Sequence, residues 1–248
     1  LQSQSEAGFS SYLELTAELV NRGQMGEIGQ RERWTVQKYG GTSVGKLLDT
    51  ITGTIIPKYL LTGRVAVICS ARSSLSKSKG TTSLLLEAID CATSSETSTR
   101  DLDSIIDAIK DDHLDAVRSA VGDKIDRLQG VIEDIENDCE KLRSFLKATW
   151  TVGEISDRTQ DRVLAVGEKL SCRIVSASLN SKGIPAEVVL LDDVVQSAHK
   201  RHTRDQRAVF SRNPVSFLRD LSGDIEARIL RCGNKVPVIT GTMTLTPC

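Results

Sequence analysis

Absences narrow the chemistry open to this chain. Its 248 residues contain no CxxC pair, no HExxH and only three histidines, which removes the usual zinc frameworks. His199 and His202 stand three apart, but the run HKRH reads as a solvated basic turn, and no metal site is expected. A formal net charge of -1 gives no long-range field to gather nucleic acid or an anionic membrane. No stretch approaches eighteen apolar residues, and the first twenty residues lack the basic-then-apolar order of a secretory signal. A cytoplasmic location is expected, with neither membrane nor nucleic acid as partner. Neither GxxxxGK[ST] nor GxGxxG occurs, so the chain has neither a Walker P-loop nor a Rossmann fingerprint. The cysteines Cys69, Cys91, Cys139, Cys172, Cys232 and Cys248 are scattered through apolar or helical stretches, the pattern of reduced, buried thiols rather than of a disulfide framework.

What is present is a composition of 39% hydrophobic and 26% charged residues, enough for one large domain or two small ones with a substantial core. Residues 1–32 read as an N-terminal appendage, and the compact unit begins near residue 33. There the segment TVQKYGGTSVGK, Thr35–Lys46, runs an alternating strand into a lysine, two glycines, two hydroxyls and a helix start. Paired glycines let a backbone approach a ligand without Cβ obstruction, Thr42 and Ser43 can cap the following helix, and Lys38 supplies positive charge. Together these make a phosphate cradle.

Further along, strand and helix patterns alternate. Strands are expected at Thr35–Tyr39, Arg64–Cys69, Ala186–Leu191 and Val236–Thr240, with helices near Val44–Leu60, Thr81–Ala92 and Val215–Leu230. The unbroken apolar run Val65–Cys69 suits a parallel sheet covered on both faces, hence an α/β/α sandwich. Pro237 is awkward in a central strand unless its missing N–H falls at the first pair or at an irregularity. A core strand so near Cys248 points to a domain that continues beyond this sequence.

Between the first strands and the last lies a long helical stretch. Asp101–Val121 is expected as a helix that breaks at Gly122. In the next helix Ile125, Leu128, Ile132, Ile135, Cys139, Leu142 and Leu146 recur at alternating steps of three and four, a heptad seam. An intramolecular hairpin over about 101–150 is the favoured arrangement and a dimerising coiled coil the alternative. A third helix, Ser156–Ser181, stripes Val163, Val166, Leu170, Ile174 and Ala177 along one side. Glu168 projects about 140° from Val163, toward whatever occupies the other face.

In order along the chain, VQKYGGTSVGK, VAVICSARSS, KGTTSLLL, VGEKLSCRIVSA and VPVITG resemble the aspartate kinases, especially fungal ones, within the amino acid kinase family. The resemblance implies an amino acid kinase sandwich with a helical hairpin insertion, cut short at its C-terminal side. It implies a phosphotransferase that moves the γ-phosphoryl of MgATP to L-aspartate, the first step toward lysine, threonine, methionine and isoleucine. By that resemblance Lys38, Gly40, Gly41, Thr42 and Ser43 handle the ATP phosphates, with Tyr39 in place of the usual Phe. Ser70, Thr82 (Thr81 in the alternative register) and Glu168 hold aspartate; Glu168 would meet its ammonium group. Arg72 is a weaker candidate nearby. The family's later nucleotide-binding half and regulatory ACT domains have no counterpart in these residues, so self-association, a complementing polypeptide, or an inactive nucleotide-binding or protein-interaction role are the alternatives.

Overall fold

The computed structural model describes residues 33–73, 80–93, 101–122, 125–152, 155–201, 203 and 214–241. The expected appendage 1–32, His202 and Cys248 lie outside them. Four strands, β1 (Trp34–Tyr39), β2 (Arg64–Cys69), β3 (Ala186–Val189) and β4 (Val236–Thr240), form an all-parallel sheet in the order β1-β2-β4-β3. After β1 come α1 (Gly41–Lys46), α2 (Leu48–Thr50), a π-helical turn (Ile51–Ile55) and α3 (Ile56–Leu60). The single helix expected over 44–60 is therefore broken. Gly53 within the π turn and Pro57 at the start of α3 are the residues that weaken a continuous α ladder there.

The helices α4 (Thr81–Thr93), α5 (Leu102–Val121), α6 (Ile125–Val152) and α7 (Asp157–Ser181) follow, then α8 (Leu191–Arg201) and α9 (Pro214–Leu230). Asp101 caps α5 by accepting the Asp103 N–H at 3.3 Å, and Gly122 ends it at φ 64°, a conformation that glycine adopts without Cβ strain. The heptad seam closes inside the molecule. Leu128, Ile135, Cys139, Leu142 and Leu146 are buried with residues of α4, α5 and α7 in one apolar core, and Ile132 packs against it; the side chain of Ile125 lies outside the described residues. The hairpin is thus part of a four-helix cluster, and its seam is not exposed for a second chain.

Helix α7 joins the two halves of the molecule. Val163, Leu170, Ile174 and Ala177 face the helical cluster, whereas Cys172, Val175 and Leu179 enter a second core with Val65, Val67 and Cys69 of β2 and Val236 and Val238 of β4. The opposite sheet face is covered around Ala66, Val189 and Ile239 by Cys232 and Ile229. Two corrections concern the segment from Ala186 to Arg201. β3 ends at Val189, because Leu191 already begins α8, its N–H donating to Thr240 Oγ1 at 3.2 Å; the basic run expected as a turn belongs to this helix through Arg201. Pro237 does occupy a central strand. Val236 N–H is directed to β3, donating to Pro185 O at 2.8 Å, so by alternation the Pro237 nitrogen faces β2, whose register with β4 starts only at Val238. The missing N–H therefore falls just outside the β2–β4 ladder.

Candidate active site

In a parallel sheet, ligands meet the protein at the carboxyl ends of the strands. Here three of those ends are tied together by the main chain. Ser70 N–H donates to Tyr39 O at 3.1 Å, Gly241 N–H to Cys69 O at 3.3 Å, and Ser73 N–H to Gly41 O at 3.0 Å. The ends of β1, β2 and β4 and the loop after β2 therefore form one connected rim.

Lys38 is exposed at the penultimate position of β1, paired in register with Ile68. Tyr39 is half-buried, its hydroxyl donating to Gln37 Oε1 at 2.8 Å, and burial pushes its pKa up to about 12. Its replacement of phenylalanine is accommodated by that local partner. Contrary to the expected capping by Thr42 and Ser43, which lie inside α1 because the helix already starts at Gly41, Gly40 is the N-cap and offers no side chain to the first-turn amides, which have no intrahelical acceptors. A Cβ on Gly40 would meet nothing within 4 Å, so the space above it is open. At Gly41, by contrast, a Cβ would stand 2.1 Å from Ala71 O, and at Gly45 1.9 Å from Ser73 O. Glycine is required at both positions because the loop after β2 lies directly on α1. Thr42 is exposed and Ser43 half-buried.

The residues expected to hold an acceptor divide. Ser70 is half-buried on the rim. Thr82 is exposed in the first turn of α4, while Thr81 is buried, its methyl carbon 3.1 Å from where a Gly167 Cβ would sit. Thr81 thus serves packing, leaving Thr82 as the hydroxyl that faces outward. Glu168 stands four, seven and eleven residues before Cys172, Val175 and Leu179, in line with the stripe of α7 that packs on the sheet. One turn beyond the packed residues, that stripe reaches the strand ends, where Glu168 Oε1 lies 3.4 Å from a Cβ built on Gly241. Beneath it the Cys172 thiol is held well above the ordinary thiol range by its hydrogen bond with Cys69 and by burial, so the floor stays neutral.

Arg72, the weaker candidate, is directed elsewhere: its guanidinium is ion-paired with Asp112 of α5. Several residues that position the site were not anticipated. They are Gly45, Ala71, Ser73, Ser171 and Gly241, each of which falls within one of the ordered motifs without having been given a role there. On another flank of α7, a cavity of about 400 Å³ opens at the ends of β3 and β4, lined among others by Lys141, Phe145, Arg162, Lys169, Asp193 and Thr240.

The amino acid kinase family model matches residues 33–248. The chain belongs to the amino acid kinase family. It is similar to the aspartokinase of Candida albicans, 38% identical over 221 residues, covering 86% of this chain and 38% of that protein. The aspartokinases of Schizosaccharomyces pombe and Saccharomyces cerevisiae are 35% and 36% identical, again over 86% of this chain and 39% and 40% of theirs. Among solved structures, Escherichia coli aspartokinase III in complex with lysine and aspartate (T-state) matches with a TM-score of 0.54 at 17% identity, covering 83% of this chain and 40% of that one. The same enzyme in complex with aspartate and ADP (R-state) matches at 0.51 and 16%, covering 84% and 40%. These last two likenesses establish the fold, a parallel α/β sheet with many helices, as expected. The chain spans about two fifths of the length of the curated relatives it matches.

Proposed function

We propose that this chain forms the phosphate-cradle and acceptor side of an aspartate kinase, which transfers the γ-phosphoryl of ATP to the side-chain carboxylate of L-aspartate, giving ADP and 4-phospho-L-aspartate. The observation that carries the reading is the Glu168 carboxylate beside Gly241, where the ends of β1, β2 and β4 are tied into one rim. A carboxylate there suits the ammonium group of an amino-acid acceptor. Ser70 and Thr82 offer hydroxyl donors to its carboxylates, and Lys38 with the amides of Gly40 and Gly41 takes phosphate oxygens. The acceptor brings its own nucleophile: an aspartate oxygen bonds to the γ-phosphorus as the bond to the β,γ-bridging oxygen breaks. Catalysis is then positioning and charge stabilisation, and no Ser/His/Asp triad is needed.

The naming of the relatives and the aspartate and ADP bound to the E. coli neighbour support both substrates. Mg²⁺, when bound, neutralises charge on the phosphates. Among the described residues no group of three or more His, Cys, Asp or Glu forms a metal cage, so the ion would enter on the nucleotide. A cytoplasmic location belongs to the same reading; among the described residues no helix is long and apolar enough to cross a membrane.

A second reading, a nucleotide-binding module without turnover, needs only the phosphate cradle, where Gly40 leaves the first-turn amides of α1 open. Aspartate-dependent ADP formation by the purified 1–248 chain with Mg²⁺ and ATP decides between them. Turnover abolished by Lys38→Ala and by Glu168→Ala is the expected result. MgADP binding without turnover selects the module, and neither turnover nor binding overturns both.

A further inference from the structure

Residues Ala71–Ser73 form the bridge between the two sides of the site. On one side Ser73 N–H donates to Gly41 O at 3.0 Å, and the loop carbonyls lie so close to Gly41 and Gly45 that neither tolerates a Cβ. On the other side Arg72 N–H donates to Ser171 Oγ at 2.8 Å, and that hydroxyl donates to Gly167 O at 3.0 Å, one residue before Glu168. Arg72 O accepts the Thr81 N–H at 3.2 Å and so holds the start of α4, where Thr82 stands. A shift of this short bridge moves the phosphate cradle, Ser70, Thr82 and the Glu168 turn together.

The main chain of the bridge is thus fixed from three directions, and its one long side chain reaches a fourth. The Arg72 side chain is only 14% exposed and ion-paired with Asp112, 34% exposed, on α5. Asp112 does not share its charge with a cationic neighbour on its own helix. His113 is fully buried, its pKa lowered chiefly by that burial, with Nδ1 bonded to Ile109 O at 2.7 Å and 4.0 Å from the Asp112 carboxylate. It stays neutral near pH 7, leaving Arg72 as the cation on Asp112 among the described residues. A partly buried arginine whose carboxylate is removed keeps its desolvation cost without its partner, and the loop carrying it must move to recover solvent.

We infer that Asp112 is a positioning residue for the active site: through Arg72 it fixes the 71–73 bridge and couples the α5–α6 hairpin to acceptor binding. The assignment rests on the aspartate kinase reading above for its ligand, but the coupling itself has an independent readout. Hydrogen exchange in the full chain reports the Arg72 and Ser73 amides directly, and calorimetric titration with L-aspartate and with MgADP reports the site.

In Asp112→Asn, exchange is expected to quicken at Arg72, Ser73 and Thr81 while α6 and β2 keep their protection, and aspartate affinity is expected to fall roughly tenfold. Asp112→Glu should restore both, and the exchanged pair Arg72→Asp with Asp112→Arg should recover much of what either single change loses. A merely structural role would lower protection throughout α5 and α6 and would not be rescued by the swap. Unchanged bridge protection in Asp112→Asn overturns the inference, as does uniform loss in both Asp112 variants. Wild-type protein that binds no aspartate yet shows the selective exchange response would leave the coupling standing and sink the substrate reading instead.

Discussion

The two flanks of α7 use polar groups in opposite ways. Toward the helical cluster, charges are consumed in place: the buried Asp138 accepts from Lys169 Nζ and Arg173 Nε, each at 2.6 Å, while Arg143 bonds Asp103, Asp107 and Glu140. Hydrogen bonds from Lys147 and Arg143 hold the Asp103 carboxyl below its ordinary range. Toward the strand ends, main-chain hydrogen bonds satisfy the framework, and Lys38, Thr42 and Thr82 stand exposed. A polar side chain locked to a neighbour within the fold supports that fold; one held by a rigid backbone at the carboxyl edge of a sheet is placed for a ligand. The contrast distinguishes the cluster from the site more sharply than residue type does.

Gly41→Ala should break it most severely. Its Cβ would fall 2.1 Å from a backbone carbonyl, so the cradle or the 71–73 bridge must move, and nucleotide affinity should fall by on the order of a hundredfold, read by MgADP titration. The α5–α6 cluster should remain folded by circular dichroism.

Asp138→Asn attacks the other flank. Two cations lose the charge of their buried partner, and unfolding in urea should show a loss of about 3 kcal/mol. The affinity of the folded fraction for MgADP should be nearly unchanged.

His113 gives a smaller, pH-dependent effect. In the unfolded chain its imidazole titrates near 6.5, whereas burial lowers the folded value; the Ile109 carbonyl and Asp112 oppose that shift and Arg72 adds to it. The unfolded state therefore takes up the proton more readily. His113's contribution is complete above pH 6.5 and is lost as pH falls below it. Denaturant midpoints of wild type and His113→Phe between pH 7.5 and 5 should show a steeper decline for wild type.

The smallest effect comes from Gly130→Ala. Gly130 lies inside α6 with nothing within 4 Å of a built Cβ, so alanine should add about 0.5–1 kcal/mol of stability. The same substitution thus costs ligand affinity at Gly41 and adds folding stability at Gly130.

Much of the fold was legible in the amino-acid sequence. The continuous apolar run Val65–Cys69 announced a parallel strand, and the steps of three and four from Leu128 to Leu146 announced a buried seam, because both depend on local periodicity. The GG loop and Glu168 stood out through ordered motifs, and the fold sets both at the strand ends. What escaped the sequence was long-range: that α7 is buried on two sides, that Arg72 turns to Asp112, and that Gly45 lies under Ser73. Periodicity identified one stripe of α7, but a helix packed between a bundle and a sheet carries two, and the second is read only once its partner is known. The π turn and the early end of β3 escaped for a related reason, since tertiary packing set those boundaries.

The most direct test of the account is a calorimetric titration of the full chain with L-aspartate, comparing wild type with Glu168→Gln, an isosteric change that removes only the charge. Saturable binding by wild type, weakened roughly ten- to a hundredfold in Glu168→Gln with MgADP affinity unchanged, is the expected result. Equal aspartate affinity in the two proteins would contradict the placement of Glu168 at the acceptor.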